Sequence, residues 1–116
     1  MAGWNPYQPP EDAVPPQEVR ILELRGEPWP EDGRRVRIHL KTSPFLERPN
    51  IVVSIHDQNG KEVSSINIIE SIEPQMTFTM HIRSEQVEGQ YTLSASLVYP
   101  EIGTVDQNSV TVTPGS

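Results

Sequence analysis

A chain of 116 residues provides for one domain with one hydrophobic core, and its 34% content of hydrophobic residues is sufficient to build that core. The absence of cysteine excludes a disulfide framework and a thiolate metal site. The net charge is −7, and the chain from residue 50 onward carries eight acidic against two basic side chains, which argues against nucleic acid as a partner.

The first 16 residues form a proline-rich arm that precedes the predicted domain. They contain five of the twelve prolines, and because proline disfavours helix in the residue before it, this segment is predicted to be extended. Trp4 and Tyr7, together with the spacing of Pro6 and Pro9, are typical of a peptide that docks into an aromatic-lined groove. A leader without a partner, or one whose Trp4 packs on its own domain, has the same composition.

The chain carries no targeting or membrane-spanning pattern. It has no basic start followed by an apolar run, and no window approaches the roughly 18 apolar residues of a membrane span. These features predict a cytoplasmic protein, although a secreted chain trimmed of its signal peptide has the same pattern.

Apolar residues alternate with polar ones from residue 17 to residue 113, which predicts β-strands and no helix. In the first strand this pattern changes phase midway, which predicts a bulge or a crossing between sheets. Seven short strands joined by turns predict an all-β two-sheet sandwich over residues 17–113, followed by a tail at 114–116. The strands are expected at residues 18–25, 34–42, 51–57, 61–69, 76–83, 90–99 and 108–113.

Two connections have distinctive turn residues. Asn59-Gly60 predicts a tight hairpin with a type I′ turn, because both residues tolerate a positive φ. The segment from Gly26 to Gly33 is predicted to be a turn that carries Trp29. This tryptophan is expected either to contact a partner or to cap one end of the core.

A stretch near the C-terminal end indicates the type of sandwich. Residues 89–95 (Gly-Gln-Tyr-Thr-Leu-Ser-Ala) resemble the start of the sixth strand in immunoglobulin-like and fibronectin type III-like sandwiches. The resemblance implies that the Tyr91 hydroxyl bonds to the backbone of residues 84–87, an arrangement called the tyrosine corner; a half-buried strand tyrosine is the alternative. Leu93 stands where antibody domains have cysteine, so the resemblance indicates a generic, bacterial-type variant of the fold.

The titratable residues form no recognisable catalytic or metal-binding pattern. His39 and His81 are expected on the outward faces of neighbouring strands and His56 on the opposite sheet, and imidazoles without a carboxylate or thiolate partner leave a zinc site incomplete. His56 and Asp57 are adjacent in a strand, so their side chains point to opposite faces and cannot form a catalytic relay. The sequence therefore predicts a protein without enzymatic activity, metal or other cofactor.

These features favour a non-catalytic protein-binding module. Its candidate partner-binding residues are Trp4, Tyr7, Trp29, Arg35, Arg37 and His39. The basic ladder over residues 35–41 has a plainer interpretation as a solvated outer face paired with Glu18 or Glu23. Two other functions stay open. The hairpin at residues 57–60 resembles that of an intracellular proteinase inhibitor. A carbohydrate-binding accessory domain would need exposed aromatic platforms, of which the chain offers few apart from Trp4, Tyr7 and Trp29.

Overall fold

The computed structural model describes residues 11–29, 34–83 and 89–113, and these residues form an all-β sandwich. The predicted seven strands are confirmed, and the helical structure within the described ranges is one short 3-10 turn at Pro16–Glu18. No helix in these ranges is long and apolar enough to cross a bilayer. The strands are β1 (Ile21–Pro28), β2 (Arg35–Thr42), β3 (Asn50–His56), β4 (Glu62–Ile68), β5 (Gln75–His81), β6 (Tyr91–Tyr99) and β7 (Gly103–Val112).

The strands form two antiparallel sheets, one in the order β1-β2-β5 and the other in the order β4-β3-β6-β7. The fourth strand therefore lies beside β3. In antibody constant domains the fourth strand instead joins the sheet that contains the first, second and fifth. As a consequence of the arrangement here, β5 is an edge strand, and β2 is its neighbour among the described strands.

The core lies between the two sheets and is built mainly from the inward faces of β2, β3 and β6. Val53 and Ala95 are directly opposed in the β3–β6 register, and both are fully buried. Burial alternates along β6 as predicted, from Tyr91 to Tyr99, because a strand with one covered face presents every second side chain to the core. The largest fully buried aliphatic side chains are Ile38, Leu40, Ile51, Ile55, Leu93 and Leu97.

The first strand is displaced along the chain from its predicted position. The 3-10 turn at Pro16–Glu18 occupies the start of the predicted strand, and Val19 reaches the core from the residue after that turn. The predicted change of phase is confirmed as a register shift between Ile21 and Glu23. It leaves Leu22 59% exposed.

Gly26, predicted to begin a turn, lies inside β1 opposite Ile38. A Cβ atom at this position would lie 2.7 Å from Cγ2 of Val112 and 3.2 Å from Cδ2 of Leu93. The missing side chain lets β1 approach the end of β7 and the core beneath it. The glycine is therefore explained by close packing, and the predicted turn at this residue is wrong.

The β3–β4 hairpin differs from the predicted type I′ turn. Gly60 has a φ of 83°, whereas Asn59 does not have a positive φ. The N–H of Gly60 donates to the carbonyl of Asp57 at 3.0 Å, and Asp57 Oδ1 accepts from the N–H groups of Asn59 and Lys61, both at 2.9 Å. The aspartate side chain thus stabilises an ordinary turn that ends in a left-handed glycine, and the type I′ prediction is wrong.

The β6–β7 hairpin also contains a left-handed glycine, and it explains the early start of β7. The N–H of Ile102 donates to the carbonyl of Tyr99 at 3.1 Å, and Gly103 follows with a φ of 95°. Because this tight turn directs the chain back at once, β7 begins at Gly103 instead of near residue 108 as predicted.

The two lateral sides of the sandwich are closed differently. On one side the N–H of Ile21 donates to Asp106 Oδ2 at 2.8 Å, which joins the start of β1 to β7. On the other side the N–H of Arg83, just after β5, donates to the carbonyl of Val63 on β4 at 2.8 Å. Met76 and Phe78 of β5 pack against the core as predicted, but only half-buried, because β5 is an edge strand.

The chain before β1 packs beside the connection between β2 and β3. The N–H of Val14 donates to the carbonyl of Pro44, and the N–H of Leu46 donates to the carbonyl of Val14, both at 3.0 Å. This places Val14, in the predicted arm, on the sandwich. Trp4 and Tyr7 lie outside the described residues.

Candidate functional site

Trp29 is positioned by the end of the β1–β2 ladder. Its N–H donates to the carbonyl of Arg35 at 2.9 Å, one step beyond the paired residues Pro28 and Val36. The backbone thus places the indole beside the outward-pointing residues of β2. Three of the predicted partner-binding residues, Trp29, Arg35 and Arg37, are thereby brought together.

The indole of Trp29 contacts two guanidinium groups. Its ring centroid lies 5.0 Å from Cζ of Arg35 and 5.9 Å from Cζ of Arg37, both within the range of a cation–π interaction. The ring is half-buried, and a cleft of about 200 Å³ beside it is lined by Glu27, Pro28, Trp29 and Arg37. The aromatic ring is therefore seated on the outer face of the β1–β2–β5 sheet with one part open to solvent.

Glu27 connects β1 to His39, the fourth predicted residue on this face. Its Oε1 lies 2.9 Å from Nη1 of Arg25 and 2.9 Å from Nε2 of His39. The His39 contact is close but lacks hydrogen-bond alignment, so Nε2 has no hydrogen-bond partner among the described residues. On the other side of the ring, His39 Nδ1 lies 3.4 Å from Oγ1 of Thr77.

Of the two carboxylates predicted as alternatives opposite the basic ladder, Glu23 lies there and Glu18 does not. Glu18 lies in the 3-10 turn before β1, so its predicted pairing with the ladder is wrong. Glu23 is opposite Lys41 in the strand register, as predicted, and also lies 3.7 Å from Arg25. Glu27 was missed because the first strand was predicted to end at residue 25.

The outer face of β1 and β2 carries more positive than negative charge. We call it the basic face, and its members are Arg25, Trp29, Arg35, Arg37, His39 and Lys41. Among the residues of this face that the structure describes, four are permanent cations, against the two carboxylates of Glu23 and Glu27. Because the chain as a whole has a net charge of −7, this face is a local reversal of its charge.

The histidines do not converge on a metal site. His39 lies opposite Thr77, whereas His81 lies opposite Arg35, so the two imidazoles are not cross-strand partners. His56 lies on the other sheet, as predicted. In the part of the chain that the structure describes, no group of three or more His, Cys, Asp or Glu residues is placed to hold a metal ion.

Tyr91, the residue that carried the resemblance to immunoglobulin-like sandwiches, is buried at the start of β6 with 3% exposure. Gly89 before it has a φ of 82°, which favours glycine at that position of the motif. The backbone to which the hydroxyl is predicted to bond, residues 84–87, lies outside the described residues. The tyrosine corner therefore stays a prediction.

A second surface, missed from the sequence, lies at one end of the sandwich. The connections β2–β3, β4–β5 and β6–β7 meet there around a cleft of about 410 Å³. They carry four exposed aliphatic side chains, which we call the loop surface. These are Leu46 (53% exposed), Ile69 (69%), Ile72 (72%) and Ile102 (46%).

The sequence pattern that marks part of the loop surface was interpreted as the end of the fourth strand. The stretch Ile68-Ile69-Glu70-Ser71-Ile72 breaks the alternation of a strand, and its first two residues were assigned to the fourth strand. In the structure β4 ends at Ile68, so Ile69 falls on the loop. Adjacent isoleucines followed by a glutamate are thus the feature that indicates exposed apolar residues here.

Comparisons with known proteins inform the fold. No family model and no curated protein matches the sequence. A β-glucuronidase from Ruminococcus gnavus aligns with 84% of this chain and 16% of its own, at 13% identity and a TM-score of 0.51. A β-glucuronidase from Lactobacillus rhamnosus aligns with 84% of this chain and 16% of its own, at 14% identity and a TM-score of 0.54. A glycosyl hydrolase family 2 member from Bacteroides cellulosilyticus DSM 14838 aligns with 83% of this chain and 15% of its own, at 8% identity and a TM-score of 0.54.

These solved structures are similar to this chain in fold alone, because the identities of 8–14% are too low to carry function. The chain spans about a sixth of the length of the glycosidases that it matches. What the comparison establishes is that a β-sandwich of this arrangement also occurs as a part of much larger proteins.

Proposed function

We propose that this protein is a non-catalytic interaction module whose basic face binds an acidic segment of a partner protein. The observation that carries the proposal is the packing of the half-buried Trp29 ring against two guanidinium groups, at 5.0 Å and 5.9 Å. Tryptophan and arginine are the residue types that most often dominate the binding energy of protein interfaces.

The arrangement suits a carboxylate ligand. Guanidinium groups bind carboxylates with two parallel hydrogen bonds, and the indole restricts the freedom of Arg35 and Arg37 before a partner arrives. Less conformational entropy is then lost on binding. The positive potential of this face, on a chain of charge −7, also directs an acidic partner to this side of the molecule.

A non-catalytic role is supported by the geometry of the one candidate catalytic pair. The Asp57 carboxylate accepts hydrogen bonds from the N–H groups of Asn59 and Lys61, both at 2.9 Å, within the β3–β4 turn. It is therefore engaged in holding the hairpin. His56 faces outward on β3 in register with Thr92 and Glu62.

The test uses two short peptides that differ only in charge. One consists of glutamate with glycine spacers, and its control has glutamine in place of glutamate. Binding to the whole protein is measured by fluorescence anisotropy, and Arg35→Gln, Arg37→Gln and Trp29→Ala are each expected to weaken binding of the acidic peptide by about tenfold or more. Arg83→Gln, which removes an exposed arginine beyond β5, is the matched control and retains wild-type affinity.

The proposal is wrong if the acidic and neutral peptides bind equally, or if Arg83→Gln weakens binding as much as Arg37→Gln. Raising the ionic strength should also reduce the affinity, since exposed charges are screened within about 8–10 Å. Thermal unfolding of each variant confirms that a loss of binding does not reflect a loss of fold.

A carbohydrate-binding accessory role is the second candidate, and it is favoured by the Trp29 ring beside a cleft that also contains Glu27 and Arg37. The solved structures with a similar fold include glycosidases, one of them a Ruminococcus gnavus β-glucuronidase in complex with D-glucuronic acid. A titration of D-glucuronic acid, followed by Trp29 fluorescence in a Trp4→Phe background, separates the two roles. Saturable quenching by the sugar acid, without binding of the glutamate peptide, favours the carbohydrate role.

A further inference from the structure

The loop surface combines exposed apolar side chains with a preformed backbone. Single exposed aliphatic residues are common on proteins, but here four of them are carried by three connections that meet at one end of the sandwich. Ile69 and Ile72 are the most exposed, at 69% and 72%. Their exposure is far greater than that of the core-facing Ile68 beside them, which is half-buried.

The loops are tied to one another, so the backbone that carries the exposed side chains is held in place. The Tyr99 hydroxyl donates to the carbonyl of Glu47 at 2.8 Å, joining the end of β6 to the β2–β3 connection. The N–H of Ser71 donates to the carbonyl of Pro49 at 2.9 Å, joining the β4–β5 connection to the same loop. A surface that is ordered before binding loses little conformational entropy when a partner docks.

The backbone between the two isoleucines is also held in an uncommon conformation. Glu70 has a φ of 49°, a left-handed value that residues with a side chain adopt at a cost. Its N–H donates to Asn50 Oδ1 at 2.9 Å, which fixes this conformation. The adjoining Ser71 is buried, with 2% exposure, so the chain turns inward between Ile69 and Ile72 while both of these side chains stay outside.

The charge around the loop surface is acidic. Glu47, Glu70, Glu73 and Glu101 lie on the three connections, whereas the basic side chain in these connections is Arg48. Glu47, Glu70 and Glu101 line the cleft together with Tyr99 and Ile102. The sign of this charge is opposite to that of the basic face, so the two surfaces select different partners.

We propose that the juxtaposition of exposed isoleucines and a glutamate rim at this end of the sandwich forms a second docking site, for a polypeptide segment whose apolar side chains are flanked by lysine or arginine. Apolar contact provides the affinity, and the glutamates select a basic segment and reject an acidic one. This site is independent of the basic face, because it uses other residues and the opposite charge.

The experiment titrates the whole protein with a short synthetic peptide that alternates leucine and lysine, and follows backbone amide shifts by NMR. We expect the largest shifts at residues 46–48, 69–73 and 100–102. The double substitution Ile69→Ser with Ile72→Ser is expected to weaken binding by about tenfold or more, because two apolar contacts are lost. Leu22→Ser, which removes another exposed aliphatic side chain, on β1, is expected to leave the affinity unchanged.

Several outcomes overturn the proposal. Absence of binding, equal binding of a peptide that alternates leucine and glutamate, or shifts centred outside the three connections would each do so. Wild-type affinity in the double variant, with its unfolding midpoint unchanged, would also overturn the proposal. Sedimentation of the protein alone is the final check: self-association that the double variant abolishes would make a second copy of this chain the occupant, and the basic partner would be wrong.

Discussion

The hydroxyl of Tyr99 donates a hydrogen bond of 2.8 Å to the backbone carbonyl of Glu47, across the end of the sandwich that carries the loop surface. Tyr99 is the last residue of β6 and is buried, with 5% exposure, so its side chain connects the core to the β2–β3 connection. The bond joins residues 52 positions apart in the sequence. It is thus a tertiary link that orders one side of the candidate docking site.

Tyr99→Phe removes this link and is expected to lower the free energy of unfolding by about 1 kcal/mol, the usual contribution of one such hydrogen bond. Urea denaturation measures the change. Because the acceptor is a backbone carbonyl, Glu47→Gln keeps the bond and serves as the control, with an expected change within about 0.5 kcal/mol. If both variants unfold like the wild type, the hydrogen bond contributes nothing to stability.

Tyr99 also makes stability sensitive to alkaline pH. Burial, and to a lesser extent the charge of Glu47, raise the pKa of Tyr99 from 10.0 to about 12. The neutral form is therefore favoured in the folded state, and the unfolded chain releases this proton first as the pH rises. The contribution of Tyr99 to stability is complete below pH 10, declines above it, and is lost as the pH passes through about 12.

The measurement for this prediction is the free energy of unfolding from pH 9 to pH 12, compared between the wild type and Tyr99→Phe. The wild type is expected to lose stability more steeply, because the variant has no hydroxyl to ionise at this position. The other tyrosines are common to both proteins, so the difference reports on Tyr99. Parallel curves would show that its pKa is the same in the folded and unfolded states.

The fold could be predicted where one face of a strand is covered and the other is solvated. The alternation along β6 and along residues 35–40 of β2 is strict for this reason, so their inward residues were predicted correctly. Strand ends were harder, because they depend on local backbone chemistry. Because of a 3-10 turn, β1 begins at Ile21, later than predicted, and because of a turn that ends in glycine, β7 begins at Gly103, earlier than predicted.

The candidate sites could be predicted only in part, because they depend on which elements lie together in space. Arg35 and Arg37 were identified by their outward phase on β2, but the Trp29 contact requires the ladder to continue past Pro28. The loop surface depends on three connections meeting at one end, a consequence of the sheet order that no local pattern contains. Glu70 and its left-handed backbone illustrate the same limit.

The position of Phe78 on an edge strand changes the expected effect of its truncation. Replacing a fully buried phenylalanine by alanine lowers the free energy of unfolding by about 3–5 kcal/mol. Phe78 faces inward but is half-buried, because none of the strands that the structure describes lies beyond β5. Phe78→Ala is therefore expected to cost less than about 3 kcal/mol, and less than Leu93→Ala, a truncation of a fully buried side chain within β6. Equal losses in denaturation experiments would show that the edge of the sandwich is covered.

Tyr91→Phe tests the tyrosine corner implied by the family resemblance. Tyr91 is buried at the start of β6, where a hydroxyl requires a hydrogen-bond partner. If it bonds to the backbone of residues 84–87, the substitution should lower the free energy of unfolding by about 1 kcal/mol. It should also speed amide exchange in residues 84–87, whereas Tyr99→Phe should leave exchange there unchanged. Unaltered stability and unaltered exchange would show that Tyr91 does not form the tyrosine corner.

Gly26 provides a test of the close approach between β1 and the end of β7. A Cβ atom at residue 26 would lie 2.7 Å from Cγ2 of Val112, so the valine would have to move. Gly26→Ala is expected to destabilise the protein by about 1–3 kcal/mol, as overpacking of a core does. Val112→Ala creates space beside the new methyl group while itself leaving a small cavity. In a double-mutant cycle measured by urea denaturation, the two substitutions together should therefore be less destabilising than the sum of their separate effects, by at least about 0.5 kcal/mol. Simple additivity would mean that the alanine methyl does not meet Val112, and that Leu93 or Val36, the next nearest side chains, limits the space instead.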